Sequence, residues 1–320
     1  MKKLLILAIL SCFLLSGCTK QKELKRSGFY LDTIFDVQLN VENKKETISR
    51  ETRGLSGAFD RLVELDANIN KLSPLSEISA LNAHAGLRMV ELSKLTYDLL
   101  EKSLYASAFT DGYFDIAWQP LVRIFEITTP SPERLARARL AAGHRNISLD
   151  RGSRRVRYLH SNAEIDFDRI KTGFAVDLIC GSLKNITSGQ VKAGSIGYYY
   201  GPKKLVFKVD DKQNITLKVE RAAVASLDTT AAYYAKARRW TPYLPVTAVL
   251  EPIQQIIVVA PNAVTAEVLA NAFYFMGVEQ ALQKIGEIKK QASRQSLYEV
   301  YFVLAGEDGA LQVLSSADKP

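Results

Sequence analysis

Residues 256–260 (IIVVA) are five consecutive apolar residues that run through Pro261 into Val264, Val268, Ala272 and Phe273 at helical spacing. The run reads as a buried strand and the period after it as a helix, closed by Gly277 in a C-cap position. Neither can stand alone, so the rest of the chain must cover them. Within residues 31–41 (LDTIFDVQLNV), Phe35, Val37, Leu39 and Val41 alternate as a strand, with Ile34 out of step. Leu55, Phe59, Leu62, Leu65 and Ile69 predict a helix. Leu92, Leu95, Leu99, Leu100 and Leu104 predict another, ending near TDGYFD, where Asp111-Gly112 signals a turn. Hairpins are expected over residues 147–167 around Arg151-Gly152, over 205–219 around DDKQN, and over 298–314. With 47% hydrophobic and 24% charged residues in 320, and no linker, repeat or low-complexity run, the pattern implies an α+β fold in a single domain, antiparallel hairpins with packed helices.

The chain opens MKKLLILAILSCFLLSGC: two lysines, an apolar run too short to span a bilayer comfortably, then Leu-Ser-Gly-Cys. Residues 1–17 therefore read as a secretory signal, Cys18 as a lipidated new N-terminus, residues 18–27 as a polar tether and residues 28–320 as the folded domain. That predicts an envelope protein anchored to a bacterial membrane by lipid and facing away from the cytoplasm. Cys12 leaves with the signal, so Cys18 and Cys180 are the mature cysteines and no internal disulfide is expected. His84, His144 and His160 lack metal-site spacing, and no G-x-S-x-G turn suggests a serine nucleophile. The net charge is +8, with eight arginines between Arg134 and Arg157. No nucleic-acid module accompanies them, and they read as a solvated helix face and hairpin.

Residues 163–183, AEIDFDRIKTGFAVDLICGSL, pose the functional question. The stretch opens like an apolar strand running into a glycine-started helix, an arrangement that presents backbone N–H groups to phosphate. Yet Asp168 and Arg169 stand where small residues are expected. It is either a phosphate cradle or the remains of one.

Five stretches in order, LSPLSEISALN (72–82), TDGYFDIAWQPLV (110–122), IDFDRIKTGFAVD (165–177), AGSIGYYYG (193–201) and VTAEVLANAFYFMG (264–277), resemble the FAD:protein FMN transferase family, often called ApbE-like. The resemblance implies a T-fold-related domain that takes FAD as substrate, uses Mg2+, breaks the pyrophosphate, and places FMN on a Thr or Ser of an acceptor flavoprotein. A hard divalent cation would neutralise the pyrophosphate and the departing AMP. Carried over by position, the metal ligands become Glu267, Asn271 and a backbone carbonyl at Arg169, while Tyr113, Phe114, Asp115, Asp166 and Thr172 fall at flavin-binding positions. Glu267 and Asn271 are four apart on the predicted helix and can face one ion. Asp166, Gly173, Ala175, Val176 and Asp177 keep the family pattern. The paired glycines are Asp168 and Arg169, Ala-Lys is Lys171-Thr172, and T-S-G-x-Y is SLDTT (226–230). The segment RWTPYLPVTAVLE (239–251) lacks the family's histidine and aspartate. The alternative reading is a noncatalytic flavin-binding or interaction lipoprotein on the same fold.

Overall fold

The computed structural model describes residues 21–127, 130–292 and 297–317. Along the chain, strands β1 (Gln21–Tyr30) and β2 (Thr33–Glu42) are followed by helices α1 (Lys45–Ile69) and α2 (Glu77–Ala83), strand β3 (Val90–Glu91), and helices α3 (Lys94–Phe109), α4 (Gln119–Ile127) and α5 (Pro132–Ala141). Next come β4 (Ile147–Asp150), β5 (Arg155–Tyr158), α6 (Lys171–Gly181), β6 (Ile186–Ala193), β7 (Ile196–Tyr199), β8 (Lys203–Lys208), β9 (Asn214–Val219) and β10 (Ala222–Asp228). The short α7 (Ala232–Ala237), β11 (Ile253–Ala260), the long α8 (Ala263–Gln291), β12 (Glu299–Ala305) and β13 (Leu311–Ser315) complete the α+β domain.

An eight-stranded sheet runs in the order β1-β2-β6-β7-β10-β11-β12-β13, antiparallel at every step. Its position explains the apolar run in β11. Ile256, Val258 and Ala260 face the main core with Leu269 and Phe273 of α8. Ile257 and Val259 face a second core with Ile215, Leu217 and Val219 of the β8–β9 hairpin. Apolar residues are needed on both sides, so alternation disappears.

Three segments depart from expectation. Residues 21–27, read as tether, lie in β1, which pairs with β2 from Gln21↔Glu42 to Tyr30↔Thr33. Their charged side chains look like a solvated tail because β1 is a mostly exposed edge strand, where lysines discourage further pairing. The hairpin turns at Leu31 and Asp32, both at positive φ (52° and 64°), which a two-residue turn of this hand requires. Second, residues 163–167 form no strand. Instead, Asn82 stands in for a neighbouring backbone: its Nδ2 donates to the Ile165 carbonyl and its Oδ1 accepts from Ile165 N–H, each at 3.1 Å. Third, Gly277 breaks α8 rather than ending it. At φ 74° and ψ 173° it separates two helical halves, and the Glu251 carboxylate accepts from Val278 N–H as the second half begins.

Helices α6 and α8 cross closely under the sheet. A Cβ at Gly173 would lie 2.6 Å from the Ala263 carbonyl oxygen, so glycine sets their separation. Asp177 accepts from the N–H groups of Ala263 (2.8 Å) and Val264 (3.0 Å), filling donors that the first turn of α8 leaves open. These two residues keep the family pattern because the crossing depends on them.

Candidate functional site

The crossing brings together residues far apart in sequence. Asp168, Arg169, Ser195, Ser226, Glu267 and Asn271 border one small cavity of about 110 Å³. A larger cleft of about 800 Å³ is lined by Lys71, Ser79, Asn82, Gln119, Arg123 and Arg137, among others. Lys71 joins the two. Its ammonium lies 2.6 Å from Asp166 and also bonds Asp168. Lys171, at the start of α6, reaches Asp168 at 2.7 Å and Asp32 of the β1–β2 turn at 2.9 Å.

Electrostatics hold this cluster charged. Burial alone would raise the Asp168 carboxyl, but Lys171 and Lys71 beside it bring it down to about 2. Burial works against the Lys71 ammonium too, yet Asp166 and Asp168 keep it well above the ordinary lysine value. Asp166 is further fixed by Gln119 Nε2 at 2.9 Å and turns its other oxygen to the Asp168 N–H at 2.6 Å.

The guanidinium of Arg169 lies over three rings, with its central carbon 5.7 Å from the centroid of Phe114, 5.1 Å from Trp118 and 5.3 Å from Tyr233. Its Nη2 donates to the Asp115 carbonyl at 2.9 Å. Its Nη1 is buried with no partner. A cation held by aromatic faces and left with an open donor is suited to an anion.

The other expected flavin-side residues are placed differently. Phe114 is fully buried. The Asp115 carboxylate, also buried, accepts from Ala117 N–H (2.8 Å) and His144 N–H (2.8 Å) and lies 2.6 Å from His144 Nδ1. Both shape the turn after Asp111-Gly112 and reach the cavity only through Arg169. Tyr113 is half-buried, its hydroxyl donating to the Thr247 carbonyl. Thr172 is half-buried in the first turn of α6. Within residues 239–251, which replace the histidine segment, Trp240 packs at a tilt against Trp118 in the aromatic core and Tyr243 stacks on Phe125. Cys18 and the signal lie outside the described residues.

A divalent cation is a demanding guest, wanting about six oxygens in near-octahedral array. Glu267 and Asn271 do meet at the cavity, where one Glu267 carboxylate oxygen and the Asn271 oxygen already hold hydrogen bonds. Glu267 Oε2 accepts from Gly173 N–H at 2.7 Å, Asn271 Oδ1 accepts from the Tyr234 hydroxyl, and Asn271 Nδ2 donates to the Glu267 carbonyl at 2.8 Å. Burial pushes the Glu267 carboxyl up to about 8. Asp168 faces two ammonium groups. Among the described residues, no group of three or more His, Cys, Asp or Glu side chains is arranged to hold a metal. As they stand, Glu267 and Asn271 supply fewer free oxygens than the near-octahedral shell of magnesium needs, whereas the orphaned Arg169 Nη1 and the paired lysines fit phosphate oxygens.

Sequence reasoning missed Lys71, one residue before the first motif, as well as Asp32 and the ring cage of Trp118 and Tyr233. Lys71, Asp32 and Tyr233 lie outside the five stretches and reach the site through the fold, whereas Trp118 lies within residues 110–122 at a position the pattern leaves open.

The ApbE family model matches residues 31–293. The chain belongs to the ApbE family. It is 22% identical to the FAD:protein FMN transferase of Haemophilus influenzae, an alignment covering 100% of this chain and 98% of that protein. It is 26% identical to the one from Chlamydia trachomatis, over 54% of this chain and 55% of that relative's length. Among solved ApbE structures, the Pseudomonas stutzeri flavinyl transferase in its apo form superposes with a TM-score of 0.74 at 18% identity, covering 94% of this chain and 96% of that one. The Vibrio cholerae flavin transferase gives 0.69 at 17%, covering 93% and 98%. These ApbE structures share the fold.

Proposed function

We propose that this chain transfers FMN from FAD to a Thr or Ser hydroxyl of an exported flavoprotein. The observation that carries the reading is Lys71, which lines a cleft of about 800 Å³ and bonds Asp168 at the border of the cavity that Arg169 also borders. Names of relatives across the whole chain support it. In the reaction, the acceptor hydroxyl oxygen attacks the FMN-side phosphorus. The bond from that phosphorus to the bridging oxygen breaks, AMP leaves with the bridging oxygen, and the hydroxyl proton is released. Lys71, Lys171 and Arg169 hold the phosphates in line and offset their charge. Magnesium takes no step in this reading because Glu267 Oε2 and Asn271 Oδ1 are hydrogen-bonded and Asp168 faces two ammonium groups.

A second reading is favoured by Asp168, whose carboxylate stands beside the lysines a phosphate would need. On it, the protein binds flavin without chemistry. The two separate when FAD, magnesium, a threonine-containing acceptor and the domain from residue 19 onward are incubated and the flavins resolved by chromatography. AMP with FMN bound covalently to the acceptor is the expected result; FAD recovered intact would establish the noncatalytic reading. We further propose that Cys18 carries lipid and holds the domain on the outward side of a bacterial membrane, as the Leu-Ser-Gly-Cys sequence suggests.

A further inference from the structure

Resting on the flavin reading above, the geometry points to a site in which Lys71, Lys171 and Arg169 supply the countercharge for the FAD pyrophosphate, with Asp168 as an internal stand-in for phosphate that the ligand must displace. The argument begins with how the cations are held. Lys171 is nearly buried, with 13% of its side chain exposed, and spans Asp32 and Asp168. Lys71 approaches from the loop after α1 and meets the opposite oxygen of Asp168. One carboxylate thus bridges two ammonium groups that belong to separate parts of the fold, a geometry that a phosphate reproduces with oxygens to spare.

Arg169 completes the arrangement. Its guanidinium is fixed by three rings and the Asp115 carbonyl, and its buried Nη1 has no partner. A donor left open beside a neutralised lysine pair indicates that the lysines have their anion while Arg169 awaits one. A pyrophosphate has two charged groups: one takes Asp168's place between Lys71 and Lys171, and the other reaches Arg169. The Asp168 side chain is 46% exposed, so it can swing toward solvent when displaced. A divalent cation entering between Lys71 and Lys171 would meet two ammonium groups, and like charges at this range repel.

The inference predicts that FAD binds without a divalent cation. Binding to the domain from residue 19 onward is followed by flavin fluorescence, in EDTA and in magnesium, with inorganic pyrophosphate as a second probe by calorimetry. Affinity for FAD is expected to agree within about twofold between the two conditions. Lys71→Ala is expected to weaken both ligands by about tenfold or more, as for loss of one charge-assisted hydrogen bond. Lys71→Arg should keep most of the affinity, which controls for folding. Asp168→Asn should tighten binding by several fold, since the competing anion is gone. FAD binding that appears only with magnesium, or is indifferent to both Lys71→Ala and Asp168→Asn, would overturn the inference while leaving the flavin reading intact. Pyrophosphate bound through Lys71 in EDTA with no affinity for FAD would uphold the cation site and sink the flavin reading. Failure of both ligands to bind removes both.

Discussion

Glu267 is a carboxyl group with little room for its charge. Its folded value of about 8 stands above the ordinary 4.5, so the native state holds the proton more tightly than the unfolded chain does. Stability from this group is complete below about pH 4.5 and is lost as pH rises toward 8. Glu267→Gln keeps an oxygen for the Gly173 N–H and removes the titration. The variant should melt higher than the parent above pH 8 and flatten the decline between pH 5 and 8, which thermal melts across that range would show. At this scale the sequence was readable where a residue serves the backbone. Gly173 and Asp177 keep a recognisable pattern because helix crossing and capping tolerate little else. The pairing of Lys71 with Asp168 was not readable, since 97 residues separate them and nothing local marks either as a partner. Phe114 and Asp115 show the reverse error: their motif was recognised, but the fold commits them to the interior.

Among the elements, α8 carries the most unusual backbone. Gly277 lies in a region of φ and ψ that is nearly closed to residues with a Cβ, and one built there would come within 3.1 Å of Val249 and 3.2 Å of Glu251. Gly277→Ala is therefore expected to cost about 1–3 kcal/mol, read as a lower denaturation midpoint in urea. The periodicity of α8 located the helix, and Gly277 was legible as a stop; that the chain resumes its helix afterwards depends on Glu251, which local pattern does not reveal. The same limit explains residues 163–167. Their apolar alternation imitates a strand, but the backbone of Ile165 bonds the Asn82 side chain and the Asp166 N–H donates singly to the Ile116 carbonyl, so no ladder forms. By contrast, the long hairpins and the run in β11 were legible because burial on one face or two writes itself directly into the pattern.

For the molecule as a whole, the architecture followed from its hairpins and helices, whereas the start of the fold did not. β1 begins at Gln21, inside the stretch that reads as tether. This matters for the proposed anchor. Cys18→Ala should move the protein from the membrane fraction to the soluble one and leave FAD binding by the domain unchanged; retention in the membrane fraction would count against lipidation at that residue. A lipid on Cys18 would have only three residue steps to Gln21, the first described residue of β1, a reach of roughly 10 Å even when fully extended. So short a leash would confine the domain to the layer of water next to the membrane. An acceptor would then be met by drifting across a plane rather than through a volume, and one tethered to the same surface would have a large advantage over one passing free in solution.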